Sequence, residues 1–165
     1  MNVIPFLIKE LEQEAKTTRK FLKLVNPDKF QWKPHEKSMS MKNLAVHIAE
    51  IPAWVDMAVN KDELDFAANS YKPTEVKTSD DLVNLLNQSE EKALAALQKI
   101  NEDDLLQTWT LRNGDTILMS MTRYEMIRHA YSQTTHHRAQ LGVYLRLLDI
   151  PIPGSYGPSA DEQSF

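Results

Sequence analysis

The chain contains no cysteine, which excludes disulfides, thiolate metal sites and a cysteine nucleophile. Glycine is scarce, with four residues in 165, and none falls in a GxGxxG or P-loop pattern that would cradle phosphate. No apolar run reaches the 18 or so residues a membrane span needs. The N-terminal segment carries charges where a signal peptide has its apolar stretch, which predicts a cytoplasmic protein. Basic charge is not in excess: 19 Lys and Arg stand against 23 Asp and Glu, a net charge of −4 spread along the chain. The electrostatic footprint of a nucleic-acid binder is missing, so neither nucleic acid nor membrane is expected as a partner. Alternating strand patterns are nearly absent. The one weak candidate is Thr108–Leu111, followed by an Asn113-Gly114 turn.

What is present is helical periodicity. Apolar residues make up 42% and charged residues 25%, which fits one folded domain with an ordinary core. Ile4, Leu7, Ile8, Leu11, Ala15, Thr18, Leu22 and Val25 recur at three- and four-residue steps and predict a helix over 3–25. Asn26-Pro27 ends it. A second helix is predicted over 41–59, capped by Ser38 or Ser40 and bent at Pro52, whose ring crowds the preceding turn. A third covers 79–100, opening at Thr78 or Ser79 with Asp80 and Asp81 at the positive end of its dipole. The fourth and longest is predicted over 117–149. The tail 150–165 is rich in Pro, Gly and Ser and cannot continue a helix. These elements predict an all-α four-helix bundle, with a long connection over 60–77 that can act as a crossover.

Four of the five histidines lie on two of these helices. His35 sits in a polar connection between Pro34 and Glu36. His47 shares a helical face with Leu44, Ile51, Trp54 and Ala58, so it is predicted to be half-buried beside the Pro52 bend. On the fourth helix His129, Gln133 and His137 form one stripe at i, i+4 and i+8. His129 and His137 stand ~12 Å apart along the axis and cannot readily share a metal. Gln133 and His137 can, while His136 is turned about 100° away. One imidazole from each of two facing helices plus a third donor makes an open site for a divalent ion. Glu50, three residues after His47, is placed to serve as a ligand, an orienting group or a general base. The bland alternative for each is a core-edge or surface histidine. Trp32, Trp54 and Trp109 read as packing residues, and Met39, Met41, Met119, Met121 and Met126 as core filler.

Two segments carry a family resemblance. One is Leu44-Ala-Val-His-Ile-Ala-Glu50 with Trp54 beyond it. The other is His136-His-Arg-Ala-Gln-Leu-Gly-Val-Tyr-Leu-Arg146 running into Pro151-Ile-Pro-Gly-Ser-Tyr-Gly-Pro-Ser-Ala-Asp-Glu162. The chain resembles the DinB/YfiT-like family over nearly its whole length. The resemblance implies a four-helix bundle, a homodimer, and one divalent metal, zinc or nickel, held by three histidines. His47 and His137 match two of those positions. Gln133 stands where the third histidine is expected, and Ala139 replaces a glycine. Relatives include metal-dependent transferases that use a low-molecular-weight thiol, and others linked to stress responses. Without a cysteine, any thiolate here must come from a cosubstrate.

Two functional readings follow. In the first, the protein is a metal-dependent enzyme, a thiol transferase or a hydrolase-like catalyst. His47, Gln133 and His137 form its metal site, Glu50 is the catalytic candidate, and Trp54, Arg138 and Tyr144 surround the pocket. Arg138 has a competing role as an anchor for the tail or a dimer contact. In the second, the chain is a non-catalytic dimeric bundle whose metal site has degenerated. It then serves as a small-ligand-binding or interaction module.

Overall fold

A computed structural model describes residues 2–68 and 71–163. Helix α1 runs over Ile4–Leu22, with Pro5 in its first turn, where a missing N–H costs nothing. Helix α2 covers Met41–Glu50, and the Ser40 hydroxyl accepts from the Asn43 amide at its N-terminus. The predicted second helix is two helices rather than one. It breaks at Ile51-Pro52 and resumes as α3 over Ala53–Asn60. Proline cannot donate to the preceding turn, and the junction closes instead on short bonds from Trp54 to Ile51 and from Val55 to Pro52.

Helix α4 spans Ser79–Leu97 and α5 spans Arg123–Leu147. Each opens on a reciprocal cap, Thr78 with Asp81 and Thr122 with Glu125. The helices pack as a bundle in which α1 and the α2/α3 pair each lie against both α4 and α5. Consecutive helices α1 and α2 therefore sit on a diagonal, and so do α4 and α5.

The all-α expectation needs correction, because a three-stranded sheet covers one end of the bundle. Strand β1 is Glu63–Asp65, β2 is Thr108–Asn113 and β3 is Thr116–Thr122. β2 and β3 form an antiparallel hairpin whose turn is Gly114-Asp115, one residue on from the expected Asn113-Gly114, and Gly114 has the positive φ such a turn favours. β1 adds parallel to β2, Glu63 opposite Thr110. Parallel neighbours need a crossover, and α4 supplies it. The fourth helix consequently begins at Arg123, and Thr116–Thr122 belongs to the sheet.

The core falls into two apolar groups along the bundle axis. One gathers Phe21, Leu22, Leu44, Ile48, Leu86 and Leu141. The other gathers Leu11, Ile51, Val55, Leu97, Trp109 and Ile127 beneath the sheet. Between them α1 and α5 share a buried ion pair, Glu14 with Arg138 at 2.6 Å. At the sheet end, Arg123 donates to the carbonyls of Ala58, Val59 and Lys61 and pairs with Asp62. This closes the C-terminus of α3 with a cation, as the helix dipole favours.

Candidate functional site

The last turn of α2 and the first of α3 place His47, Glu50 and Trp54 on the side that faces α5. The Pro52 break turns Trp54 against His47, and their ring centroids lie 5.5 Å apart, edge to face. From α5, His137 meets His47 across the bundle at 4.6 Å between ring centroids. Two turns earlier on α5, His129 stacks nearly parallel to Trp54 at 6.4 Å.

Three of these side chains are oriented by partners. Gln140 bridges the neighbouring histidines of α5. Its carbonyl accepts from His137 Nδ1 at 2.9 Å, and its amide nitrogen donates to His136 Nε2 at 3.1 Å. With its proton on Nδ1, His137 presents a bare Nε2. Gln133 turns toward His129, its amide nitrogen 3.4 Å from the ring Nε2. Burial pushes the His47 imidazole below its ordinary pKa. His137 acts in the same direction, and Glu50 opposes them. His47 is therefore held toward its neutral form.

Glu50 accepts three hydrogen bonds, from Tyr71 Oη at 2.6 Å and from the Thr74 amide and hydroxyl at 3.1 and 2.6 Å. These bonds tie the connection after β1 to the end of α2. Burial, and then the bond to Glu50, raise the Tyr71 phenol well above its usual pKa, which keeps it a donor.

Between the sheet and helices α2, α3 and α5 lies a cavity of about 520 Å³. His47, Glu50 and His129 form its polar side. Trp54, Met57 and Met126 line it from the helices, and Leu64, Trp109, Leu111 and Met119 from the sheet. Phe66 and Tyr71, both exposed, line its rim from the connection that follows β1. The lining is overwhelmingly apolar and the size suits a small organic molecule.

Two pocket candidates lie elsewhere. Arg138 does not reach the cavity. It is buried against α1, bonded to Glu14, to the Thr18 hydroxyl at 3.1 Å and to the Tyr156 phenol at 3.0 Å. That is the tail-anchoring role. Tyr144 packs edge to face on Trp32 and donates to the Met39 carbonyl. His35 is also apart from the site: its Nδ1 accepts from the Lys37 amide in an exposed turn. The sequence reading missed Phe66, Tyr71 and Leu111, and it assigned Trp109, Met119 and Met126 to packing alone. Their convergence depends on the sheet. The Thr108–Leu111 alternation and the Asn113-Gly114 turn were the signals for it.

The residues in place do not fit a metal of the three-histidine kind. Two imidazoles converge, but Gln133 faces His129 and Glu50 already accepts three hydrogen bonds from Tyr71 and Thr74. Among the described residues no group of three His, Cys, Asp or Glu side chains is arranged to hold a metal ion. A catalytic zinc site needs three protein donors.

Comparison with known proteins places the chain. The sequence profile of the DinB family matches residues 2–164. The chain belongs to the DinB family. No curated protein matches it. Among solved structures it is similar to a DinB-like protein from Bacillus subtilis, at 20% identity and a TM-score of 0.70, with 96% of this chain and 99% of that one covered. It is also similar to a DinB-like protein from Bacillus cereus, at 18% identity and a TM-score of 0.70, with 91% and 95% covered. At such identities the likeness concerns the fold. Among the described residues no helix is long and apolar enough to cross a membrane.

Proposed function

We propose that this DinB-family chain binds a small, largely apolar organic molecule in the cavity beneath its sheet. The observation that carries this reading is the cavity itself, about 520 Å³ with aromatic and methionine walls and a short polar side at His47, Glu50 and His129. In this reading the family fold serves as a small-ligand-binding module.

The test is titration with the neutral fluorophore N-phenyl-1-naphthylamine. Its emission should rise on binding at about one equivalent per chain. Leu111→Trp, which fills the cavity from a half-exposed sheet position, should weaken binding at least tenfold with the fold intact by circular dichroism. Binding that is unchanged in Leu111→Trp would place the fluorophore elsewhere and defeat the reading.

The facing imidazoles favour a second reading. His47 and His137 would hold a divalent metal, zinc or nickel, if the Gln133 amide turned from His129 to offer its oxygen. Such a metal would activate a cosubstrate thiol for transfer to an electrophile. Elemental analysis tests the metal site: about one metal per chain, lost in His137→Ala, would establish the site, and thiol-transfer assays would then test the reaction. Substoichiometric metal after zinc or nickel loading would dismiss this reading. Pairing of two chains remains the expected assembly, and size-exclusion chromatography with light scattering checks it.

A further inference from the structure

We propose that the cavity selects an organic cation, specifically a quaternary or tertiary ammonium carried on an apolar body. This rests on the reading of the cavity as a ligand site and names its ligand class. Charge complementarity is the first support. Among the described residues that line the cavity, Glu50 is the one carboxylate, and no lysine or arginine lines it. An apolar chamber with one unopposed negative charge favours a monocation and disfavours an anion.

The wall chemistry is the second support. Trp54, Phe66, Tyr71 and Trp109 present four aromatic side chains around the same space, with polarizable methionines between them. Aromatic faces carry negative potential and attract cations. Trp109 is buried and Trp54 half-buried at the inner wall, while Phe66 and Tyr71 are exposed at the rim.

The state of Glu50 narrows the class further. Its oxygens already accept three hydrogen bonds, from Tyr71 and twice from Thr74. It offers field more than vacant acceptor sites. A primary ammonium would bring three N–H donors into a chamber with few acceptors to receive them. A quaternary ammonium has none to satisfy, and a tertiary one has a single N–H.

Benzyltrimethylammonium and its neutral carbon isostere, neopentylbenzene, test the proposal, followed by intrinsic tryptophan fluorescence of the full chain. Wild-type protein should bind the cation. Glu50→Gln, which keeps the shape and can still accept from Tyr71, should weaken the cation at least tenfold and change the isostere less than twofold. Trp54→Leu removes an aromatic face while leaving an apolar wall, and it should likewise cost the cation several-fold more than the isostere. If Glu50→Gln does not fold, Trp54→Leu still carries the comparison. Binding of the isostere without the cation, or equal losses for both ligands in both variants, overturns the cation assignment and leaves the cavity reading standing. Failure of both ligands to bind wild-type protein overturns both.

Discussion

Arg138 and Glu14 form the most consequential polar pair away from the cavity. The side chains are 3% and 11% exposed, so neither charge has water to fall back on. Removing one partner strands the other. Arg138→Met should cost about 3–5 kcal/mol in urea unfolding, whereas the double replacement with Glu14→Leu should lose clearly less. Equal losses in the two proteins would show that the pair is not a coupled buried charge. At the other site, Gln133→His supplies an imidazole one turn from His137. It should bring zinc content after loading to about one per chain, against a substoichiometric wild type. Unchanged zinc would mean that His47 and His137 do not converge in solution. These residues also mark what could be read early. His47 and His137 were legible because helical spacing alone puts each on a core-facing stripe. The engagement of Glu50 by Tyr71 and Thr74 was not legible, since its partners lie 21 and 24 residues on, in a connection with no periodicity.

The caps set how the elements respond to pH. Backbone N–H groups lower the pKa of Asp81 at the start of α4, and the Thr122 amide lowers that of Glu125 at the start of α5. A carboxylate depressed in the folded state stabilises it above its unfolded pKa and loses that contribution as pH falls through the folded value. The thermal midpoint should therefore decline as pH is lowered below about 4, where these carboxylates begin to protonate. In Asp81→Asn with Glu125→Gln, the decline should be shallower. Thr122→Ala, which removes the hydroxyl half of the α5 cap, should cost ~1 kcal/mol. Helices α1 and α4 were readable from sequence because their stripes are long and end at clear breakers. Strand β3 was not. Ile117, Met121 and Tyr124 satisfy a helical step, while Leu118 and Met119 between them blur the alternation. Tertiary pairing with β2 decides the outcome, and a continuous apolar run cannot announce it. The Pro52 break was foreseen as a bend, but its result, two helices with Trp54 turned against His47, depends on the packing of α3 on α5.

At the scale of the whole molecule, the C-terminal tail holds the structure together. Tyr156 accepts from Arg138 and donates to Glu14 at 2.7 Å, Asp161 pairs with Arg146 and accepts from the Ile152 amide, and Glu162 accepts from the Gly154 amide. Gly154 has no room for a side chain, since an added Cβ would stand 2.6 Å from the Gly157 carbonyl oxygen. Truncation after Ile150 should lower the melting temperature by roughly 5–10 °C. An unchanged melt would show that the tail is mere decoration on a self-sufficient bundle.

Glu63 finds Thr110 only when all of α4 lies between them in place. Closing so long a loop costs entropy before any ladder bond compensates it. Strand β1 is therefore expected to join last, onto a β2–β3 hairpin that is local in sequence, and to come away first. Brief loss of the three-residue strand β1 is then the expected local opening beside the cavity, whose rim residues Phe66 and Tyr71 are themselves exposed. Amide exchange should register this directly, fast at Phe66 and Thr110, slow at Leu86 in α4, and slowed at the strands alone once the cavity is filled.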